Sequence, residues 1–273
     1  MSSIDSNIAF IGGGNMASAI IGGLIRMGVP AGNIEVVEPW EEARARLASD
    51  FGITAQPAAG AALARCGLVV WAVKPQTFKD AAAPVRAHAA GALHLSVAAG
   101  IRSDSIAQWL GTERIVRSMP NTPALVGKGM TALFARPGVG TADRTLVEQV
   151  IATTGDHLWV DAEEQLDAVT ALSGSGPAYV FFFLEAMTAA GTEMGLTPQQ
   201  AHRLAVGTFV GASELARASD DPPAVLRQRV TSKGGTTYAA ITSLQEDGVD
   251  ARFIKALHAA RRRAKALGDE FGA

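Results

Sequence analysis

The chain is poor in the groups that most often carry chemistry or staple a small fold. A single cysteine, Cys66, in 273 residues excludes an internal disulfide or a thiolate cluster and fits a reducing compartment. The 5 histidines are scattered without ligand spacing, so no metal centre is expected. Charged residues make up 18% and nearly cancel, leaving a net charge of −2, which gives no electrostatic reason to expect nucleic acid or an anionic membrane as partner. Arg261, Arg262 and Arg263 form the one basic cluster, inside an amphipathic pattern from Asp250 to Phe271, and read as a solvated helix face. Long hydrophobic runs are missing as well: Ala178 to Leu184 is the most membrane-like stretch and stops at Glu185. The polar start, Met1 to Asn7, lacks an apolar signal region. Together these absences predict a cytoplasmic protein.

What is present is apolar residue, 48% of the chain, arranged first as strands and then as helices. Ile8 to Ile11 is a short β-branched and aromatic run that ends in Gly12-Gly13-Gly14-Asn15-Met16-Ala17, after which Ile20, Ile21, Leu24 and Ile25 recur at helical spacing. That order is strand, glycine-rich turn, helix, the context in which the dinucleotide fingerprint has meaning. Gly12 makes the tight turn, Gly14 leaves room for a pyrophosphate, and Ala17 permits close packing of helix on strand. A second strand, Ile34 to Val37, ends at Glu38, where an acidic side chain accepts from the adenine ribose hydroxyls. Glu38 would repel a 2′-phosphate, which leans the coenzyme toward NADH, unless Arg44 or Arg46 folds back to offset it.

Further strands are expected at Ile53–Ala55, Leu68–Val73, Leu93–Val97 and Ile115–Met119, with Met130–Phe134 and His157–Val160 extending the sheet at its far edge. Near-continuous apolar character is what a parallel sheet covered on both faces requires. Ligands of such sheets sit at the carboxyl ends of the strands. Those ends carry Gly12, Gly14, Asn15 and Met16, then Glu38, then Ala72, Val73, Lys74 and Pro75, then Ala98 and Gly100, and finally Asn121. Lys74 either meets a phosphate or stands in solvent. Asn121 either orients a carboxamide or sits in a connection stiffened by Pro120 and Pro123.

After Asp161 the strand patterns stop, dividing a doubly wound, mostly parallel α/β domain (1–161) from an all-helical one (162–273). Leu172 to Pro177 reads as a loop ending in an N-cap serine. The helix after it, Pro177 to Met194, is apolar nearly all round, more than a domain of this size can cover alone, so it is expected at a subunit interface. Helices are also expected from Pro198 to Ala218, with Thr197 as cap, and from Asp250. Between them lies Val230-Thr231-Ser232-Lys233-Gly234-Gly235-Thr236-Thr237, where glycines free the backbone and Thr236 or Thr237 can cap the next helix. Read locally the stretch is either an ordinary glycine turn with a good N-cap or, because such a loop points amides at the positive end of a helix dipole, a site for a small carboxylate or phosphate.

Over essentially its whole length the sequence resembles pyrroline-5-carboxylate reductases. The resemblance lies in Phe10 to Met16, Ala72 to Pro75, Met119 to Pro123, Leu172 to Tyr179 and Val230 to Thr237, the last two being the more specific. It implies reduction of Δ1-pyrroline-5-carboxylate to L-proline by NAD(P)H, the last step of proline biosynthesis. It further implies a homodimer interlocked through the helical domain that can assemble to a decamer. Carried over by position, Ser232, Gly234, Gly235, Thr236 and Thr237 bind the substrate carboxylate, with the Thr237 hydroxyl near the imine nitrogen as the catalytic group. Lys233 departs from the proline common there. Two other readings remain open: a related ketoacid reductase with Lys233 as acid, and a nucleotide sensor without turnover.

Overall fold

A computed structural model describes Ile4 and residues 6–271. By compactness the chain falls into two units, the first running to Ser175 and taking up again from Ala260, the second Gly176–Ala259. The first alternates strand and helix: β1 (Asn7–Ile11), α1 (Asn15–Arg26), β2 (Ile34–Val37), α2 (Glu41–Phe51), β3 (Cys66–Trp71), α3 (Pro75–Arg86), β4 (Leu93–Ser96), α4 (Ser103–Leu110), β5 (Ile115–Met119), β6 (Gly129–Ala135), α5 (Thr141–Ala152), β7 (Gly155–Trp159) and the short α6 (Gln165–Val169). The strands form one sheet in the order β2-β1-β3-β4-β5-β6-β7.

The first five strands are mutually parallel, so their carboxyl ends share one edge. β6 is antiparallel to β5, and β7 parallel to β6, so the far edge of the sheet lies where expected but runs in reverse. Strand order turns back at β1, which pairs with β2 on one side and β3 on the other, and the crevice at the ends of β1 and β3 is therefore the topological switch point. The expected strand at Ile53–Ala55 is absent: Gly52 closes α2 with φ 68° and Pro57 follows, leaving room only for a single bridge, Val37 to Gln56.

Alternation within each strand builds two cores. Ile8, Phe10, Leu68 and Val70 face one layer with Ile20, Ile21 and Leu24 of α1, while Ile11, Val69 and Trp71 face the other with Phe78 of α3 and Ile106 of α4. β1 and β3 are thus apolar on both faces, the signature of a covered parallel sheet.

Two polar features sit within this apolar frame. His94 on β4 is buried, its Nδ1 accepting from the Trp71 Nε1–H at 3.0 Å. Burial holds its pKa down at about 4. A folded-state pKa below the usual 6.5 contributes stability at neutral pH that is lost as pH falls from 6.5 toward 4, up to about 3 kcal/mol in full. Urea unfolding of wild type and His94→Asn at pH 7 and pH 4.5 checks this; a stability difference that does not change with pH counts against it. The second feature is an ion network. Buried Arg117 of β5 donates from Nη1 to Glu163 Oε1 at 2.5 Å, and Ser103 donates to the same carboxylate from its backbone N–H and its hydroxyl, both at 2.6 Å. Arg102 grips Asp167 of α6 with two hydrogen bonds, 2.8 and 3.2 Å.

The second unit holds α7 (Gly176–Glu193), α8 (Pro198–Arg217), α9 (Pro223–Arg229) and α10 (Thr236–Glu246), and α11 (Val249–Phe271) begins in it. Thr197 caps α8 as expected, in a reciprocal pair with Gln200. α7 and α8 pack so closely that a Cβ on Gly191 would stand 2.8 Å from that of Ala201. Phe253 meets Tyr179 and Phe183 edge-on at 5.6 and 5.7 Å. Even so, Val180, Phe181, Phe182 and Met187 of α7 remain exposed, Phe182 to 66%. Among the described residues no helix is long and apolar enough to cross a membrane.

Candidate active site

The glycine-rich turn lies at the switch point. Gly12 adopts φ 96°, a conformation L side chains avoid, and a Cβ there would stand 2.6 Å from the Ala72 carbonyl oxygen. Its N–H donates to the Val37 carbonyl at 2.8 Å, locking the turn between two strand ends. Gly14 is different: a Cβ on it would meet nothing within 4 Å. It forms the N-cap of α1 with no side-chain hydrogen bond, and both it and Asn15 are exposed. The first amides of α1 therefore face open space at the positive end of a 12-residue helix, and these residues fit a pyrophosphate.

Glu38 stands at the end of β2 as expected, but it is buried and its carboxylate is engaged within the protein. Oε2 accepts from the Gly13 N–H at 2.7 Å and Oε1 from the Trp40 N–H at 2.9 Å. Arg44 folds back, donating from Nη1 to the carbonyls of Glu38 and Pro39 at 3.1 and 2.6 Å. Ala72 and Val73 follow β3, with Val73 Cγ1 beside Gly12, and Lys74 is exposed directly before Pro75, the first residue of α3. Ala98 is buried, its N–H taken by Ser96 Oγ at 3.3 Å, and Gly100 (φ 74°) packs against Leu267 of α11. Asn121 is fully employed: its amide donates to the Ser173 carbonyl and hydroxyl at 3.3 and 3.2 Å, and its oxygen accepts from the Met130 N–H at 2.9 Å. Of the two readings open for Asn121, these bonds describe the bracing one.

The segment expected as a loop from Leu172 to Pro177 instead holds a π-helical turn over Thr170–Gly174, closed by the Ser175 N–H on the Thr170 carbonyl at 2.8 Å, and α7 already begins at Gly176. Gly174 suits a loop and a π-turn equally, and no local signal separates the two.

In the second unit Gly235, rather than either threonine, is the N-cap of α10, and no side chain caps it. Thr236 and Thr237 are its first two residues, and their amides have no carbonyl within the helix to receive them. The Gly235 N–H already donates to the Ser232 carbonyl at 3.0 Å. Gly234 takes φ 76° with open space around it, and a Cβ on Gly235 would stand 2.7 Å from Ser232 Oγ, so that hydroxyl lies at the mouth of the helix. Ser232, Lys233 and Thr236 are exposed and Thr237 half-buried.

An open glycine turn at the switch point of a mostly parallel sheet, with an acidic residue closing the next strand, defines the dinucleotide-binding oxidoreductase class. Residues 7–100 match the family described as NADP oxidoreductase coenzyme F420-dependent, and residues 163–267 the one described as pyrroline-5-carboxylate reductase dimerisation. The chain is 46% identical over 269 residues to a pyrroline-5-carboxylate reductase of Pseudomonas aeruginosa, covering 97% of this chain and 98% of that one. A pyrroline-5-carboxylate reductase of Haemophilus influenzae is 39% identical over 265 residues, 95% and 97% of the two chains. Among solved structures, one from Coxiella burnetii superposes with a TM-score of 0.90 at 38% identity, covering 96% and 98%. An NADP-bound pyrroline carboxylate reductase of Plasmodium falciparum gives 0.87 at 27% identity, covering 98% and 100%. The chain belongs to the pyrroline-5-carboxylate reductase family.

Proposed function

We propose that this chain reduces Δ1-pyrroline-5-carboxylate to L-proline, the last step of proline biosynthesis. The observation that carries the site assignment is the uncapped amino end of α10, where the Thr236 and Thr237 amides lack helical carbonyls and the Ser232 hydroxyl lies beside the Gly235 cap. A reduced nicotinamide coenzyme supplies the hydride when bound. Gly12, Gly14, Asn15 and Met16 hold its phosphates; Ala72, Val73, Lys74 and Pro75 line its path, with Ala98, Gly100 and the braced Asn121 shaping the nicotinamide end. Residues 1–161 serve as the coenzyme region and 162–273 as the substrate and dimerisation region.

The substrate is a cyclic imine, basic enough to accept a proton on nitrogen, and the iminium needs no covalent nucleophile. The chain's task is positioning: Ser232, Gly234, Gly235, Thr236 and Thr237 hold the carboxylate, and the Thr237 hydroxyl holds the proton at the imine nitrogen. Ser232→Ala is expected to weaken substrate binding by about 1 to 3 kcal/mol, read as a rise in KM for the imine with little change for the coenzyme.

The Glu38 carboxylate at the ribose end disfavours a 2′-phosphate, so NADH is the proposed preferred donor; Arg44 is the group that would admit NADPH. Exposed Phe181, Phe182 and Met187 support a homodimer through the helical region, which we extend to a decamer; light scattering of the purified chain gives the mass. Nicotinamide absorbance followed with pyrroline carboxylate, ketopantoate or neither, and with each coenzyme, tests the whole reading. Oxidation confined to ketopantoate, or none with any substrate, sinks it.

A further inference from the structure

We propose that the indole of Trp40 is the stacking platform for the adenine ring of the dinucleotide. The inference rests on the coenzyme reading above and adds a residue to it. Three of the four tryptophans are occupied. Trp71 is fully buried and stacked on Phe78 at 4.4 Å, Trp109 lies beside Phe78 at 5.8 Å, and Trp159 donates to Glu148 at 2.6 Å with Arg144 over its ring. Trp40 is 75% exposed, and no ring or cation contact is made by its indole among the described residues.

Its backbone, by contrast, is held firmly. The Trp40 N–H donates to Glu38 Oε1 at 2.9 Å, and Oε2 of the same carboxylate accepts from the Gly13 N–H at 2.7 Å. One carboxylate thus joins the residue to the glycine turn. Arg44 braces the two residues before Trp40 through their carbonyls. An aromatic face that costs the protein exposed apolar area stands on a rigid mount at the carboxyl end of β2, the end of the crevice where the adenosine half of a dinucleotide lies. Stacking uses the π-face of the base and no particular hydrogen bond, so it serves NADH and NADPH alike. This separates Trp40 from Glu38, whose charge acts at the ribose 2′ position.

Calorimetric titration of full-length wild type, Trp40→Ala and Trp40→Tyr with NADH, NADPH and ADP-ribose provides the test. Trp40→Ala is expected to weaken all three by a common factor of about tenfold, and Trp40→Tyr to regain most of that loss. Turnover at saturating coenzyme should stay close to wild type, so the loss falls on KM. Affinities of Trp40→Ala equal to wild type, or a tyrosine that restores nothing, overturn the role of the ring while leaving the coenzyme reading intact. A wild-type chain that binds none of the three ligands overturns both.

Discussion

Glu163→Ala is expected to destabilise the first unit by about 3 to 5 kcal/mol, the cost of stranding a buried charge. Arg117 sits in β5 with its side chain only 6% exposed, and its Nη1 has the Glu163 carboxylate at 2.5 Å. Burial pushes the Arg117 guanidinium below its usual range, and Glu163 offsets that. Among the described residues Arg117 Nε has no hydrogen-bond partner, so the pair already carries an unsatisfied donor. Removing Glu163 also frees the Ser103 amide and hydroxyl, which both donate to it. The pair is therefore specific rather than strongly stabilising: a double change to Arg117→Met and Glu163→Leu should recover most of the lost stability. Denaturant unfolding followed by tryptophan fluorescence reads both variants. A Glu163→Ala protein within about 1 kcal/mol of wild type would mean water reaches Arg117.

Thr237→Ala is expected to lower turnover by about a hundredfold with the fold intact, because it removes the one hydroxyl assigned to the imine nitrogen. Thr237 is the second residue of α10, half-buried and beyond the Gly235 cap, so its hydroxyl is not spent on capping the helix. Its backbone amide survives the substitution, and carboxylate binding should change much less than turnover. Thr237→Ser should restore most of the rate. Steady-state kinetics in both substrates separate the effects: a loss confined to KM for the imine would reassign Thr237 to carboxylate binding alone.

The two variants mark the division between what was legible and what was not. The glycine turn was readable because its requirement is local: Gly12 needs a positive φ, which glycine meets without strain. The strand ends were readable because continuous apolar runs bounded by Gly and Pro leave few alternatives. At Ile53–Ala55 the same reasoning failed: of the four residues between Gly52 and Pro57 only Gln56 pairs with the sheet, through a single bridge to Val37. Thr236 and Thr237 are plausible caps by residue type, yet Gly235 takes that place because Gly234 turns the chain one step earlier.

Trp40 is legible as an aromatic residue two positions after Glu38, but its exposure is not in the pattern. Nor was the pairing of Arg117 with Glu163, 46 residues apart, or of Glu38 with Gly13, 25 apart. By itself the sequence determined a glycine turn after β1, a mostly parallel sheet and a helical second part, because each follows from periodicity and backbone rules within a few residues; the carboxylate role given to the late loop came from the family resemblance. Only the tertiary structure decided which polar groups are already engaged: Glu38 and Asn121 by neighbouring backbone, the Arg117 Nη1 by Glu163, while the Thr236 and Thr237 amides of α10 have no helical carbonyl to receive them. The physical reason is that hydrogen bonds and ion pairs between distant residues depend on where the folded chain brings them, which no local spacing encodes.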